Sequence, residues 1–176
     1  MENITFHCLL CENSRNDFKS GIFCSLTDEK PKFLNKCPNK SFEKRLEKKI
    51  EEINTKLKLV ENTKPDAILH AATFLSFSII ILLADYFLSS YLWDKGWITT
   101  ILIIIGAAGL GLIPFAIAPI NKLKTELKLA KDDKIKLDNV LLIYGYSYDI
   151  DILIQKNIHG FAKPKTQIKI YSRTKS

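Results

Sequence analysis

The sequence lacks the features that identify a secreted protein or an enzyme. Its start, Met1-Glu2-Asn3, has no basic segment, short apolar run or small-residue cleavage site, so we expect no cleaved signal peptide and a cytosolic N-terminal segment. The sequence also offers no nucleophile, base and oxyanion-stabilising group in a recognisable arrangement. We therefore expect a protein that is not an enzyme.

The net charge of +7 does not have the pattern of a nucleic-acid groove. Basic side chains do not alternate with aromatic ones, as they do where single-stranded bases stack on a protein. Most Lys residues lie instead in the two segments next to a central apolar block, which is typical of the cytoplasmic side of a membrane protein. We expect no nucleic-acid partner.

Two apolar stretches dominate the middle of the chain. Residues 67–93 and 97–120 both exceed the about 20 residues that a helix needs to cross a hydrocarbon core of roughly 30 Å. Only Asp94-Lys95-Gly96 separates them, which is enough for a turn between antiparallel neighbours. The sequence therefore predicts a two-helix transmembrane hairpin. The alternative is a buried hairpin of a soluble protein, but the rest of a 176-residue chain could hardly cover two helices that are apolar all round.

The charges beside the hairpin predict its orientation. Residues 41–64 carry seven Lys or Arg, residues 121–136 carry six Lys, and the turn carries one Lys. Positive side chains collect on the cytoplasmic side of a membrane. We therefore expect both ends of the chain in the cytoplasm.

One acidic residue, Asp85, is predicted near the middle of the bilayer. It lies about ten residues, or roughly 15 Å, from the centre of the turn, opposite the small residues around Gly106 and Gly109. Small residues let another helix approach closely. Because a charge in lipid is costly, Asp85 indicates an ion or proton path, or a polar contact between copies of the chain. The alternative is a protonated carboxyl that is hydrogen-bonded within the hairpin.

The segments beside the apolar stretches have the pattern of paired helices. In residues 41–64 the apolar positions are three and four apart, and in residues 121–138 Lys134 interrupts the same rhythm. We interpret them as two amphipathic helices of a coiled-coil-like cytoplasmic stalk; helices lying on the membrane surface are the alternative. The apolar positions are Leu46, Ile50, Ile53, Leu57 and Val60, and then Leu123, Leu127, Ala130 and Leu137.

Prolines mark where these helices are expected to bend. Pro65 is predicted at the joint between the first stalk helix and the first apolar stretch. Pro114 and Pro119 each remove a backbone donor, so we expect the last turns of the second stretch to be kinked.

All four cysteines lie in residues 1–40. Cys8 and Cys11 form a CxxC pair, and Cys24 and Cys37 each follow after twelve intervening residues. A CxxC turn presents two thiolates to one tetrahedral ion, and two further cysteines complete a structural zinc site. A reducing compartment favours a shared Zn2+ over disulfides, with free thiols or another metal as alternatives. A site of four cysteine ligands leaves no open position for water, so the ion would stabilise the fold.

Residues 6–43 carry further signals besides the CxxC pair. They are Asp17, the Gly-Ile-Phe-Cys-Ser-Leu-Thr string at 21–27, Lys-Pro-Lys-Phe at 30–33, and Cys37-Pro38. This order resembles a short, zinc-ribbon-like module at the N-termini of many Bacteroidota proteins, several of them membrane proteins. The resemblance implies a cytoplasmic, metal-binding accessory module and a bacterial inner-membrane setting, and it implies nothing about the rest of the chain. The acidic segment that usually follows the last cysteine is replaced here by the Lys-rich stalk.

The tail, residues 139–176, is too apolar to be disordered and too short for a domain of its own. Ser147 and Gly160 suit the two ends of a helix from Tyr148 to Asn157. Apolar residues at every second position favour a strand instead, both there and over residues 167–171. We predict a short helix followed by a strand.

Together these features predict a mainly α membrane protein with a four-cysteine module, a transmembrane hairpin, a coiled-coil-like stalk and a short α+β tail. Its expected function is that of a bacterial inner-membrane scaffold whose zinc-stabilised cytoplasmic head recruits an unknown protein partner. Membrane lipid and further copies of the chain are the other expected partners. The alternative is an oligomeric pore-forming or membrane-disrupting effector that is gated by its cytoplasmic regions.

Overall fold

The computed structural model describes residues 2–17, 19, 21–92, 99–156 and 162–172. The protein is mostly helical and divides into two compact units. Residues 1–59 with 129–176 form one, called here the head unit, and residues 60–128 form the other, the hairpin unit. The elements are α1 (Glu2–Leu9), β1 (Ser14–Asp17), β2 (Gly21–Cys24), α2 (Lys44–Asn62), α3 (Lys64–Leu92), α4 (Thr99–Gly111), α5 (Ile113–Tyr144), β3 (Tyr146–Lys156) and β4 (Ala162–Ser172).

The head unit has its own apolar core, to which α2 and α5 contribute most of the buried side chains. The period of three and four in α2 places Leu46, Ile50 and Ile53 on one buried face. Partly buried residues of β3 and β4, among them Ile150 and Ile168, pack against the same core. Two helices and a sheet therefore share this core, so it is not a two-helix seam alone. Its buried members are Leu10, Leu46, Ile50, Ile53, Leu137, Val140, Leu141 and Tyr144.

The predicted helix from Tyr148 to Asn157 is wrong, because the described part of that segment is strand β3. Strands β3 and β4 pair antiparallel, with Ile150 opposite Ile168. A strand places every second side chain on one face, which lets Tyr148 and Ile150 reach the core together. A helix would have spread these side chains around its axis. Gly145, at φ 75°, ends α5 in the left-handed conformation that lets the chain turn directly into β3.

Lys134, which interrupts the apolar rhythm of α5, belongs to a polar network. Its Nζ donates to the Tyr148 hydroxyl at 2.8 Å, and that hydroxyl donates to Asp138 Oδ1 at 2.8 Å. Asn54 of α2 donates to the same hydroxyl at 3.2 Å. Burial raises the pKa of Tyr148, so the hydroxyl keeps its proton at neutral pH. The network joins α2, α5 and β3 at the position where an apolar residue was expected.

The hairpin unit contains α3 packed against α4. Thr63 separates α2 from α3, and Pro65 lies in the first turn of α3, where its missing N–H costs no helical hydrogen bond. The second apolar stretch breaks at Leu112, two residues before Pro114, which cannot donate to the preceding turn. Pro119 lies inside α5, which continues without a break to Tyr144. The predicted turn at residues 94–96 lies outside the described residues.

Two helical stretches, within Lys44–Tyr91 and Thr100–Tyr144, are long and apolar enough to cross a membrane. Only 11% and 17% of their most apolar windows are buried inside the protein. The core helix of a soluble protein would be mostly buried, so the described part of the chain leaves these two apolar surfaces uncovered.

Candidate functional site

The four cysteines line one pocket of about 180 Å³ in the head unit. Cys8 lies in the last turn of α1, Cys11 follows that helix, Cys24 ends β2, and Cys37 lies in the loop before α2. None of them is in a disulfide. Residues that are 29 positions apart at the extremes are thus brought to one space, as the predicted set of four sulfur ligands requires.

Local hydrogen bonds explain how the first three cysteines meet. The Cys11 N–H donates to the Cys8 carbonyl at 3.0 Å, which closes the CxxC turn. Strands β1 and β2 then return the chain, with Cys24 opposite Ser14. The Ser25 N–H fixes this return by donating to the Asn13 carbonyl at 2.8 Å.

The surroundings of Cys8 disfavour its thiolate. Burial, reinforced by the neighbouring Cys37, Cys11 and Cys24, raises the pKa of the Cys8 thiol to about 11. A thiol that keeps its proton at neutral pH is a poor nucleophile, so the pocket does not suit redox or covalent catalysis by Cys8. A bound cation would remove the repulsion among the sulfur atoms.

The four thiols share the pocket without forming a closed ligand shell. Among the described residues, no three His, Cys, Asp or Glu side chains stand in an arrangement that would hold a metal ion. The donor set nevertheless matches zinc, because four cysteines line one pocket. The side chains would have to rearrange around an ion for it to bind.

Tyr144, the last residue of α5, joins two sides of the cysteine pocket. Its hydroxyl accepts the Cys37 N–H at 2.9 Å and is hydrogen-bonded to His7 Nδ1 at 3.1 Å. Tyr144 and His7 are 8% and 4% exposed, so both groups are sheltered from water. Burial lowers the pKa of His7, which keeps the imidazole neutral at neutral pH. The sequence did not indicate either residue, because Tyr144 lies 107 positions from Cys37 and 137 positions from His7.

Two basic residues hold the same region together. Arg45, at the start of α2, donates to the carbonyl oxygens of Cys11 and Ser14, each at 2.8 Å. The Lys40 ammonium lies 4.5 Å from the ring centroid of Tyr144 and 5.1 Å from that of Tyr146, which is cation–π distance. The loop of Cys37 is therefore fixed to the end of α5.

In the hairpin unit, Asp85 and Gly106 lie against each other. A Cβ placed on Gly106 would lie 3.0 Å from Asp85 Oδ2, so the glycine leaves room for the carboxylate. Asp85 Oδ1 is buried and has no hydrogen-bond partner among the described residues. An unpaired buried carboxylate oxygen is costly, and no bond within the described hairpin satisfies it.

Gly109 lets α3 and α4 approach closely. The buried Ser78 hydroxyl donates to the Gly109 carbonyl at 2.7 Å, across the two helices. A Cβ on Gly109 would lie 2.9 Å from Leu82 Cδ2 and 3.1 Å from Ile81 Cγ2. The helices are thus held together by a hydrogen bond that only a small residue permits.

Gly109→Val is expected to destabilise the hairpin by about 1–3 kcal/mol. The added atoms would clash with Leu82, push α3 and α4 apart, and lengthen the hydrogen bond from the Ser78 hydroxyl to the carbonyl of residue 109. The measurement is the melting temperature of the detergent-solubilised chain. Gly111→Val is the matched control, since a Cβ there meets no atom within 4 Å. Equal melting temperatures for the two variants would contradict the close packing at Gly109.

Comparisons with protein-family models, with curated proteins and with solved structures give no match to this chain.

Proposed function

We propose that the chain is a bacterial inner-membrane scaffold whose hairpin unit crosses the bilayer and whose zinc-stabilised head unit binds a partner protein in the cytoplasm. The observation that carries this proposal is the contrast between the units. The head unit buries a core of its own, whereas the two apolar helical stretches remain almost entirely uncovered.

The side chains on the hairpin support insertion into lipid. Large apolar residues on α3 and α4 are widely exposed, including Phe87 at 68%, Ile80 at 60% and Ile103 at 68%. A soluble monomer rarely exposes a contiguous apolar surface of this extent. Lipid would cover it, and the helical backbone would keep its hydrogen bonds satisfied there.

The orientation follows from the charges at the two ends of the hairpin. Seven Lys or Arg in residues 41–64 and six Lys in residues 121–136, against one in the turn, favour the cytoplasm for both termini. The resemblance of residues 6–43 to a module of Bacteroidota proteins supports the same placement.

In the proposed function, four cysteines of the head unit hold one Zn2+. They are Cys8, Cys11, Cys24 and Cys37. The common pocket lined by the four cysteines supports this assignment. When bound, the ion supplies folding energy and offers no open position for a substrate. His7, Tyr144 and Arg45 position the segments that carry the ligands.

A second candidate function, an oligomeric pore or membrane-disrupting effector, is favoured by one observation. Asp85 Oδ1 is buried without a partner among the described residues, and a second copy of the hairpin could supply one. In that case the carboxyl would lie at a contact between copies or along a path for ions.

Conductance across a planar bilayer separates the two candidates. For the scaffold, the reconstituted chain is expected to give no conductance above the lipid background, and Asp85→Asn is expected to give none either. Asn keeps the shape of Asp and removes its charge, so a pore lined by Asp85 should change its conductance or ion selectivity in this variant. Steady conductance that Asp85→Asn alters would reject the scaffold in favour of the pore.

A further inference from the structure

A cleft of about 230 Å³ lies in the hairpin unit where its two apolar stretches end. The two sides of the cleft are the turn before α3 and the part of α5 around Pro119. Thr63 forms the turn before α3, and Pro119 inside α5 cannot donate to the carbonyl one turn before it. Half-buried Ala67 and Pro119 provide apolar lining.

Three charged side chains also line the cleft. The side chain of Asp66 forms no hydrogen bond or ion pair within the described residues. Lys122 and Glu126 are one turn apart on α5, and their charged atoms are 3.9 Å apart, at the outer limit of an ion pair. Asp66 and Glu126 against Lys122 give the lining a net charge of −1. Each charged group can thus take a ligand of opposite sign.

We propose that this cleft binds the headgroup of a phospholipid that carries a primary ammonium next to its phosphate. The proposal rests on the insertion of the hairpin described under Proposed function, which places residues 63–67 and 119–126 in the headgroup layer. The ammonium donates hydrogen bonds to Asp66 and Glu126, and the phosphate accepts from Lys122. The acyl chains leave over Ala67 and Pro119 toward the apolar stretches.

The charges of the cleft select among headgroups. A quaternary ammonium has no N–H to donate to the two carboxylates, so a choline headgroup loses these bonds. An anionic glycerol headgroup brings a phosphate for Lys122 but no cation for Asp66 and Glu126, and the net charge of the lining repels it. A phosphoethanolamine headgroup satisfies all three side chains.

Native mass spectrometry of the full chain in mild detergent tests the proposal with three lipids of identical acyl chains. Phosphatidylethanolamine is expected to be retained about fivefold more than phosphatidylcholine or phosphatidylglycerol, and Asp66→Asn and Lys122→Ala are each expected to remove this preference. Lys124→Ala is the matched control, because it removes the same charge from the same helix outside the cleft. Free phosphoethanolamine is expected to displace the retained lipid.

Equal retention of the three lipids, or a preference that survives Asp66→Asn, would overturn the proposal. Failure of free phosphoethanolamine to displace the lipid would also overturn it, since the acyl chains would then supply the affinity. These results would leave the proposed membrane insertion of the hairpin intact. If the proposed function itself were wrong, the chain would instead be soluble without detergent and would retain no lipid.

Discussion

The full-length chain, produced with zinc in the medium and purified in detergent, is expected to carry about one equivalent of zinc, and Cys37→Ser to carry less than about half an equivalent. All four cysteines line one pocket, and a structural zinc ion needs four ligands. Loss of one sulfur opens the shell to water and weakens the site. Elemental analysis of the purified protein measures the ratio directly.

Zinc affinity is also expected to rise with pH. The pKa of the Cys8 thiol is raised to about 11 without a metal, so at neutral pH the ion must displace the proton of that thiol. Each proton released makes the apparent affinity about tenfold stronger per pH unit, up to the pKa of the thiol that loses it. A competition titration with a chelator at several pH values measures how steeply the logarithm of the zinc affinity rises with pH.

Asn39→Ser is the matched control for Cys37→Ser, because Asn39 lines the same pocket and carries no thiol. The control is expected to keep its zinc. Wild-type protein with less than half an equivalent of zinc, or full occupancy in Cys37→Ser, would contradict the four-cysteine site. Stoichiometric iron with visible absorbance would identify an iron–sulfur cluster and reject the zinc assignment.

Tyr144→Phe is expected to weaken zinc binding about 10–100-fold while the ring stays in place. The substitution removes one oxygen, which accepts the Cys37 N–H at 2.9 Å and is bonded to His7 at 3.1 Å. The buried His7 and the half-buried Cys37 N–H would each lose this partner, and the loop of Cys37 would lose its anchor on α5. The chelator titration at fixed pH measures the change in affinity.

Tyr146→Phe is the control for Tyr144→Phe. Both rings face the Lys40 ammonium, but the Tyr146 hydroxyl makes no hydrogen bond among the described residues. Its loss is therefore expected to leave the zinc affinity within about twofold, the scale of a surface substitution. Equal affinities for wild type and Tyr144→Phe would show that the hydroxyl does not position Cys37.

The parts of the fold that could be predicted from sequence are those with a long, regular pattern. The two apolar stretches each exceed 20 residues, and the spacing of apolar positions in α2 predicts the buried Leu46, Ile50 and Ile53. The prolines predicted a joint near Pro65 and kinks near Pro114 and Pro119. The structure interrupts the helix at Thr63 and Leu112, whereas α5 continues through Pro119. The repeat of the helix and the missing N–H of proline are enough to predict these features, because neither depends on tertiary contacts.

The tail was mispredicted because two local signals competed. Ser147 and Gly160 suited the ends of a helix, whereas the alternation that starts at Tyr148 suited a strand. Packing decided the outcome, since only a strand presents Tyr148 and Ile150 together to the core that α2 and α5 supply. The residues of the tail carry no local signal of that core.

The cysteines of the candidate site could be selected from their spacing, but the residues around them could not. Tyr144 meets Cys37 across 107 positions, and Lys134 meets Tyr148 only because a strand returns along α5. Such contacts depend on tertiary packing and leave no periodic signal. Asp85 and Gly106 form the opposite case, because a turn predicted at residues 94–96 already indicates which residues of the two helices face each other.

Extraction of the expressed protein at high pH is the most direct test of the central claim, that the two apolar helices are embedded in a membrane. After alkaline carbonate washing and high-speed centrifugation, the chain is expected to stay in the membrane pellet until detergent is added, because lipid would hold the two apolar helices of the proposed membrane hairpin. A stable, folded monomer that remains in the detergent-free supernatant would contradict the membrane hairpin.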